Sequence, residues 1–486
     1  MLKTVENLFK EWNDNGIGYC HWKSSDHLDA TVNGITDIDV LVSRDDADKV
    51  ESIIINLGFQ RFDTVYLRSY PGIMDYVCLD KETAKWVHIH LHYQLALGDR
   101  WVKAYWLPLE KQVLSRSVFS NKYQSYVVHP CDELYLLCAR MSLKINKPFN
   151  NKGVWKEFLH IRSAIQQSYK DYKYFDGVYD DLELMYKYAL SENPLPKELN
   201  KHAVKVKRSL RQSMRYSLPG FYLYSNIRMI YRYYVEFRRR FLKNFKVGRR
   251  KIPRGGKIIS FIGIDGSGKT SGVARMEKLF VQQMNVTTVF LGNGQSGSSW
   301  YRKIFFKLFG VRAKWKSHKQ LNPDIGKKEN SKVPWYYSLW ILLCLLDKEK
   351  NLKEAMKARA NGSLVLSDRW PQDKISATLD GPRIYGKNNL NFLAKYVSNR
   401  EKRFLELSKT IIPDAILRFN VSPEKACSRK PNEFTLEVAL QNGKLLEQLK
   451  WDDANIIDIN ADDEIGKVDD NLRAAIWKSI QGKKYV

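Results

Sequence analysis

Apolar residues in the second half of the chain come in short blocks, separated by stretches with helical spacing. Residues 257–262 read Lys-Ile-Ile-Ser-Phe-Ile, a β-branched run with strand character. In residues 271–280, Val273, Met276, Leu279 and Phe280 mark one face of a helix. Further apolar runs at 286–291, 363–366, 415–421 and 456–459 predict strands, with helices between them, for example over 346–360. The apolar stretch 335–346 contains Ser338 and is too short to span a bilayer, which predicts a buried helix. Five short strands alternating with helices predict an α/β domain over 257–486, built on a doubly wound, parallel five-stranded sheet.

The first 200 residues follow a different pattern. Asp37 leads into the apolar run Ile38-Asp39-Val40-Leu41-Val42, and Asp37 and Asp39, two apart, share one strand face. Ser43 to Asp46 has the form of a cap opening a helix that Gly58 closes. A strand over 86–93 places His88, His90 and His92 on one face, and residues 131–142 and 155–166 have helical spacing. This predicts an α+β domain over 1–200 that finishes in a helical subdomain.

Charge adds a third segment. The net charge of +27 concentrates in residues 201–257, which hold 18 Lys and Arg against one acid, Glu236. Aromatics are interleaved there, among them Tyr216, Phe221, Tyr222, Tyr224, Tyr231, Tyr233, Tyr234, Phe237 and Phe241. Residues 201–256 therefore predict a basic, aromatic connector ending at Gly255-Gly256. Its composition suits a helix packed by its rings, or an anionic membrane surface; nucleic acid is not the expected partner. Six cysteines without a C-x-x-C spacing predict isolated thiols in a reducing compartment. Residues 1–7 lack the apolar core of a signal peptide. The expectation is a cytoplasmic protein, with peripheral contact at the inner face of the membrane open to residues 201–257.

The densest chemistry lies at Gly263-Ile264-Asp265-Gly266-Ser267-Gly268-Lys269-Thr270, which fits G-x-x-x-x-G-K-[ST] between a predicted strand and a predicted helix. Its glycines let successive N–H groups turn inward on phosphate oxygens, and the following helix start, with Ser271, adds partial positive charge. Gly263, Gly266, Ser267, Gly268, Lys269, Thr270 and Ser271 are the expected ATP-binding residues, with Lys269 on the β/γ-phosphates and Thr270 on Mg²⁺. Asp368, directly after a strand, is placed to help organise Mg²⁺, and Arg369 to meet a phosphate.

Phe261 to Thr270 resembles the P-loop of thymidylate kinases, which carry an Asp-Gly pair inside the loop. Asp368-Arg369-Trp370 is similar to their Asp-Arg-Tyr motif, and the run from Pro413 to Ala426 to their fourth strand and following helix. The resemblance covers about 230 residues with the motifs in order, and it implies ATP-dependent phosphoryl transfer. It also implies lid cations at Arg429 and Lys430, and for Asp265 either a contact to the acceptor, including a base role, or a loop-shaping one. The acceptor half departs from the family: Leu291-Gly292-Asn293-Gly294-Gln295-Ser296-Gly297 has no cation where thymidylate kinases have one, and a basic insertion occupies 312–332.

Ser24-Ser25, then Asp37-x-Asp39, then helix and strand resembles the nucleotidyltransferase superfamily over about 90 residues, with His90 at the third carboxylate position. Asp37, Asp39 and His90 are then the expected metal ligands, and the imidazole would favour manganese or zinc over magnesium. The fused pair resembles bacterial proteins associated with surface-polysaccharide assembly. The reading is an ATP-dependent kinase acting on a small molecule or glycan other than thymidylate. Alternatives are a genuine thymidylate or other nucleoside monophosphate kinase, and a non-catalytic, nucleotide-gated scaffold at the membrane.

Overall fold

A computed structural model describes residues 1–64, 69–98, 102–165, 179–241, 250–293, 300–302, 333–376, 378–431, 433–451 and 454–482. The insertion expected at 312–332 and the stretch 294–297 lie outside the described residues. The chain divides into two units, Met1–Arg250 and Lys251–Val486.

Among the described residues of the first unit, nine strands form two sheets. The strands β1 (Tyr19–His21), β2 (Ile38–Val42), β3 (Gln60–Phe62), β4 (Ile73–Leu79), β5 (Trp86–His92), β8 (Val118–Ser120) and β9 (Ser125–Val127) make a seven-stranded sheet ordered β3-β4-β5-β2-β1-β9-β8. A separate hairpin joins β6 (Leu95–Leu97) to β7 (Tyr105–Leu107). Parallel pairing of β2 with β5 and antiparallel pairing of β4 with β5 put β5 between two carboxylate-bearing strands.

Alternation decides what each face of that sheet does. Ile38, Val40 and Val42 point into a core shared with the helix Lys3–Asp14, which buries Val5, Leu8, Phe9 and Trp12 at helical spacing. The helix Ala47–Asn56 adds Val50 and Ile54 to the same core; Ser43 accepts from Asp45 N at its entry, and Gly58 follows at φ +92°. Leu41, on the opposite face, belongs to a second core with the helices Pro130–Lys144, Lys152–Ser163, Asp180–Leu190 and Pro196–Ser209. The boundary expected after residue 200 is corrected here. The helix Pro196–Ser209 runs through it and buries Leu199, Ala203 and Val206 in that core, so the basic segment begins inside the first unit.

In the second unit, β10 (Lys257–Gly263), β11 (Val286–Phe290), β12 (Leu364–Asp368), β13 (Ala415–Asn420) and β14 (Ile456–Asn460) form a parallel sheet ordered β11-β12-β10-β13-β14. β12 is buried along its whole length, as expected of a strand covered on both faces. The helix Lys269–Phe280 packs with the helix Ile465–Ile480 through buried Val273, Met276, Leu472 and Ile476. The apolar stretch 335–346 and the helical stretch 346–360 are one helix, Trp335–Ala360. This unit has an α/β P-loop fold. Chain order reverses beside β10, where Gly263 ends the strand and Asp368 ends its neighbour, the place where such sheets bind ligands.

Candidate functional site

The loop after β10 turns on glycine. Gly266 has φ +85°, and a Cβ there would lie 2.5 Å from the carbonyl oxygen of Ala426. Gly268 is left-handed at the start of the helix Lys269–Phe280, and Ser271 sits exposed in that helix's first turn. Lys269 is buried; its Nζ donates to Ile264 O at 2.6 Å and to Ser267 Oγ at 3.3 Å. Burial lowers its pKa to about 8, with nearby Arg369 acting in the same direction and Asp265, Asp368 and Asp380 opposing.

Thr270 Oγ1 donates to Asp368 Oδ2 at 2.6 Å, joining the loop to the end of β12. Asp368 Oδ1 is buried and has no hydrogen-bond partner among the described residues. A buried carboxylate oxygen left unmatched beside a threonine hydroxyl fits a hard divalent cation such as Mg²⁺.

Arg369, itself at φ +78°, donates through Nη2 to Asp265 at 2.7 Å and through Nη1 to Asp380 at 3.2 Å. Asp380 first, then Asp265, outweighs burial and keeps its pKa above the ordinary arginine range. Arg369 thus bridges two carboxylates, Asp265 of the loop and Asp380. Gly292, at the end of β11, makes room for this arginine, since a Cβ there would strike its Cδ. The two lid candidates separate. Arg429 reaches the loop, donating to Gly266 O at 3.3 Å and Ala461 O at 3.0 Å, whereas Lys430 is half-buried and paired with Glu433 at 2.9 Å.

Sequence reading missed Lys348. It lies in the helix Trp335–Ala360, 5% exposed, and forms no ion pair among the described residues. Burial lowers its pKa; Asp380 and Glu401 oppose this and Arg383 adds to it. It stands in the charged run Asp347-Lys348-Glu349-Lys350 at the end of an apolar stretch, so nothing local marks it as the lysine that is buried.

The first unit holds a second cluster. Asp39 on β2 and Asp75 on β4 both stand opposite His90 on β5. His90 Nδ1 is 3.2 Å from Asp39 Oδ1 and its Nε2 is 3.2 Å from Asp75 Oδ1. His88 lies between Asp37 Oδ1 and Asp75 Oδ1, 2.6 Å from each. Against burial, hydrogen bonds from Asp39 and Asp75 raise the His90 pKa to about 9, while burial takes His92 down to about 3. Asp39 also meets Lys23 at 2.8 Å and His92 at 3.2 Å, and Asp75 meets Arg250 at 3.4 Å. Asp37, Asp39 and His90 do come together as expected. Atoms of Asp37, His88 and His90 lie within 4.8 Å of one another, while Asp39 meets Lys23 and both ring nitrogens of His88 lie 3.0 Å from Arg250 Nη2. Asp75 brings a further carboxylate on β4, facing His90. A single acid inside the apolar run 73–79 was its trace in the sequence.

Among known proteins the chain is similar to YghR of Escherichia coli K12, described as an uncharacterized ATP-binding protein. The two are 27% identical over 210 residues, 42% of this chain and 80% of YghR. YghS of the same strain, also described as an uncharacterized ATP-binding protein, is 22% identical over 209 residues, 42% of this chain and 85% of YghS. The solved structure of deoxyadenosine kinase from M. mycoides with bound dATP aligns with a TM-score of 0.27 and 16% identity, over 45% of this chain and 98% of that one. No protein-family model matches the chain.

Proposed function

We propose that the second unit is an ATP-dependent kinase that transfers the γ-phosphoryl group to an anionic small molecule or glycan other than thymidylate. The observation that carries this reading is the Thr270–Asp368 hydrogen bond at the mouth of a complete P-loop, with Asp368 Oδ1 left unmatched. ATP-binding proteins among the relatives support the donor. Loop N–H groups and the Lys269 ammonium would hold the β- and γ-phosphates, and Arg429, already on the loop, would add charge as the phosphoryl group moves. Thr270 and Asp368 would hold Mg²⁺, which supplies charge neutralisation between the phosphates. Asp265 and Asp380 fix Arg369, and through it the wall of the site.

An anionic acceptor is favoured by Lys348, a buried lysine without an ion pair among the described residues, on the helix that packs against β11 and β12. Its position on the helix before β12 differs from the arginine that thymidylate kinases carry after their second strand. Turnover of ATP by the purified chain against nucleoside monophosphates, sugar phosphates, acidic sugars and lipid-linked glycans tests the reading. Saturable phosphorylation of thymidylate in preference to all others would overturn it.

For the first unit we propose a nucleotidyltransferase-like domain whose cluster of Asp37, His88 and His90 takes a divalent cation. Carboxylates at β2 and β4, on either side of the histidine-bearing β5, support this, and the two imidazoles favour manganese or zinc. Calorimetric titration with each metal, on the whole chain and on Asp37→Ala with His88→Ala, tests it; equal uptake by both proteins would exclude the cluster.

A further inference from the structure

The helix Leu218–Phe241 shows a pattern that neither site uses. One side is tied to the first unit: Phe221 and Tyr224 pack against its core, and buried Arg228 donates to Ser69 O at 3.3 Å. On the other side Leu223, Ile227, Ile230, Tyr234, Phe237 and Phe241 follow one another at spacings of four and three. They form a continuous stripe, each residue between 50% and 65% exposed. Large apolar side chains singly exposed are ordinary; six in one line over 24 residues are not.

We infer that this stripe seats the protein on an anionic membrane surface, the helix lying in the plane of the headgroups. Three observations select that occupant. Among the described residues no helix is long and apolar enough to cross a bilayer, so the contact is made from the side. Exposed Tyr222, Tyr231 and Tyr233 flank the stripe, and tyrosine rings favour the level where hydrocarbon meets headgroups. The segment 201–257 carries 18 cations against one acid. A spacing of four and three also suits a coiled coil with a second copy, but two such helices side by side would set cation against cation with almost no acid to match them. Anionic lipid supplies the missing charge. At about 1.5 Å per residue the helix offers roughly 36 Å of contact.

Co-sedimentation of the full chain with phosphatidylcholine vesicles, with and without phosphatidylglycerol, tests this. The protein should pellet with the phosphatidylglycerol vesicles and release as salt rises, because screening weakens the charge contacts. Ile230→Glu with Phe237→Glu alters exposed positions only, so the thermal midpoint should hold while vesicle binding falls at least about tenfold. Absence of binding at low salt, or unchanged binding by the double variant, would overturn the inference. So would a dimer in sedimentation equilibrium that the same variant dissociates, if no vesicle binding accompanied it.

Discussion

At the scale of residues, the kinase reading rests on a few side chains whose neighbours are known. Lys269→Ala removes the charge aimed at the phosphates, and turnover should fall at least about a hundredfold with little change in melting temperature. Asp368→Asn should leave nucleotide binding in place while weakening the dependence of turnover on Mg²⁺, read as a rise in the metal concentration for half-maximal rate. Lys348→Met should raise the KM for the acceptor and leave the Kd for ATP unchanged. The pKa of Lys269 gives a pH signature. Because burial lowers it to about 8, the binding-competent ammonium is lost as pH rises through that value. Binding ATP must then take up a proton, so affinity should fall by up to about tenfold per pH unit above 8. Isothermal titration at increasing pH measures this; an equal slope in Lys269→Ala would assign it to another group.

At the scale of elements, much was legible because pattern and period agree. The strand–loop–helix around Gly263 to Thr270 appears where the apolar run and the glycines put it, as do the other four strands of the sheet within a residue or two. What could not be read was pairing. A sequence gives the face on which Asp39 and His90 stand, but their meeting depends on β2 lying beside β5, and Asp75 joins only because β4 flanks β5 on the other side. Side-chain partners were equally hidden: nothing local marks Asp380 as the anchor of Arg369, since the two meet across a turn. Arg429 and Lys430 were read together as lid cations, and sequence could not show that the helix Pro423–Arg429 ends between them, with Lys430 paired to Glu433. The cluster on β2, β4 and β5 yields its own prediction. Asp37→Ala with Asp39→Ala should abolish manganese or zinc uptake there and leave ATP hydrolysis largely intact, because Thr270 and Asp368 belong to the other unit. Loss of hydrolysis in the folded double variant would show the two units working as one.

At the scale of the whole molecule, charge and chemistry are distributed over two units. The first carries a carboxylate–imidazole cluster, together with a basic helix whose exposed stripe suits a lipid surface. The second carries a P-loop fold and a buried lysine, Lys348, to which the proposed function assigns a role toward the acceptor. A membrane-seated enzyme with an anionic acceptor would work where lipid-linked and acidic glycans are found. A scaffold would share the nucleotide site but have no need of Lys348. The decisive measurement is therefore turnover: transfer of radiolabelled γ-phosphate from ATP to members of an acceptor panel by the wild-type chain and by Lys269→Ala. The account predicts saturable labelling of an anionic, non-thymidylate acceptor that Lys269→Ala abolishes. Equal labelling by both proteins would contradict it, as would ATP binding with no acceptor labelled across the panel.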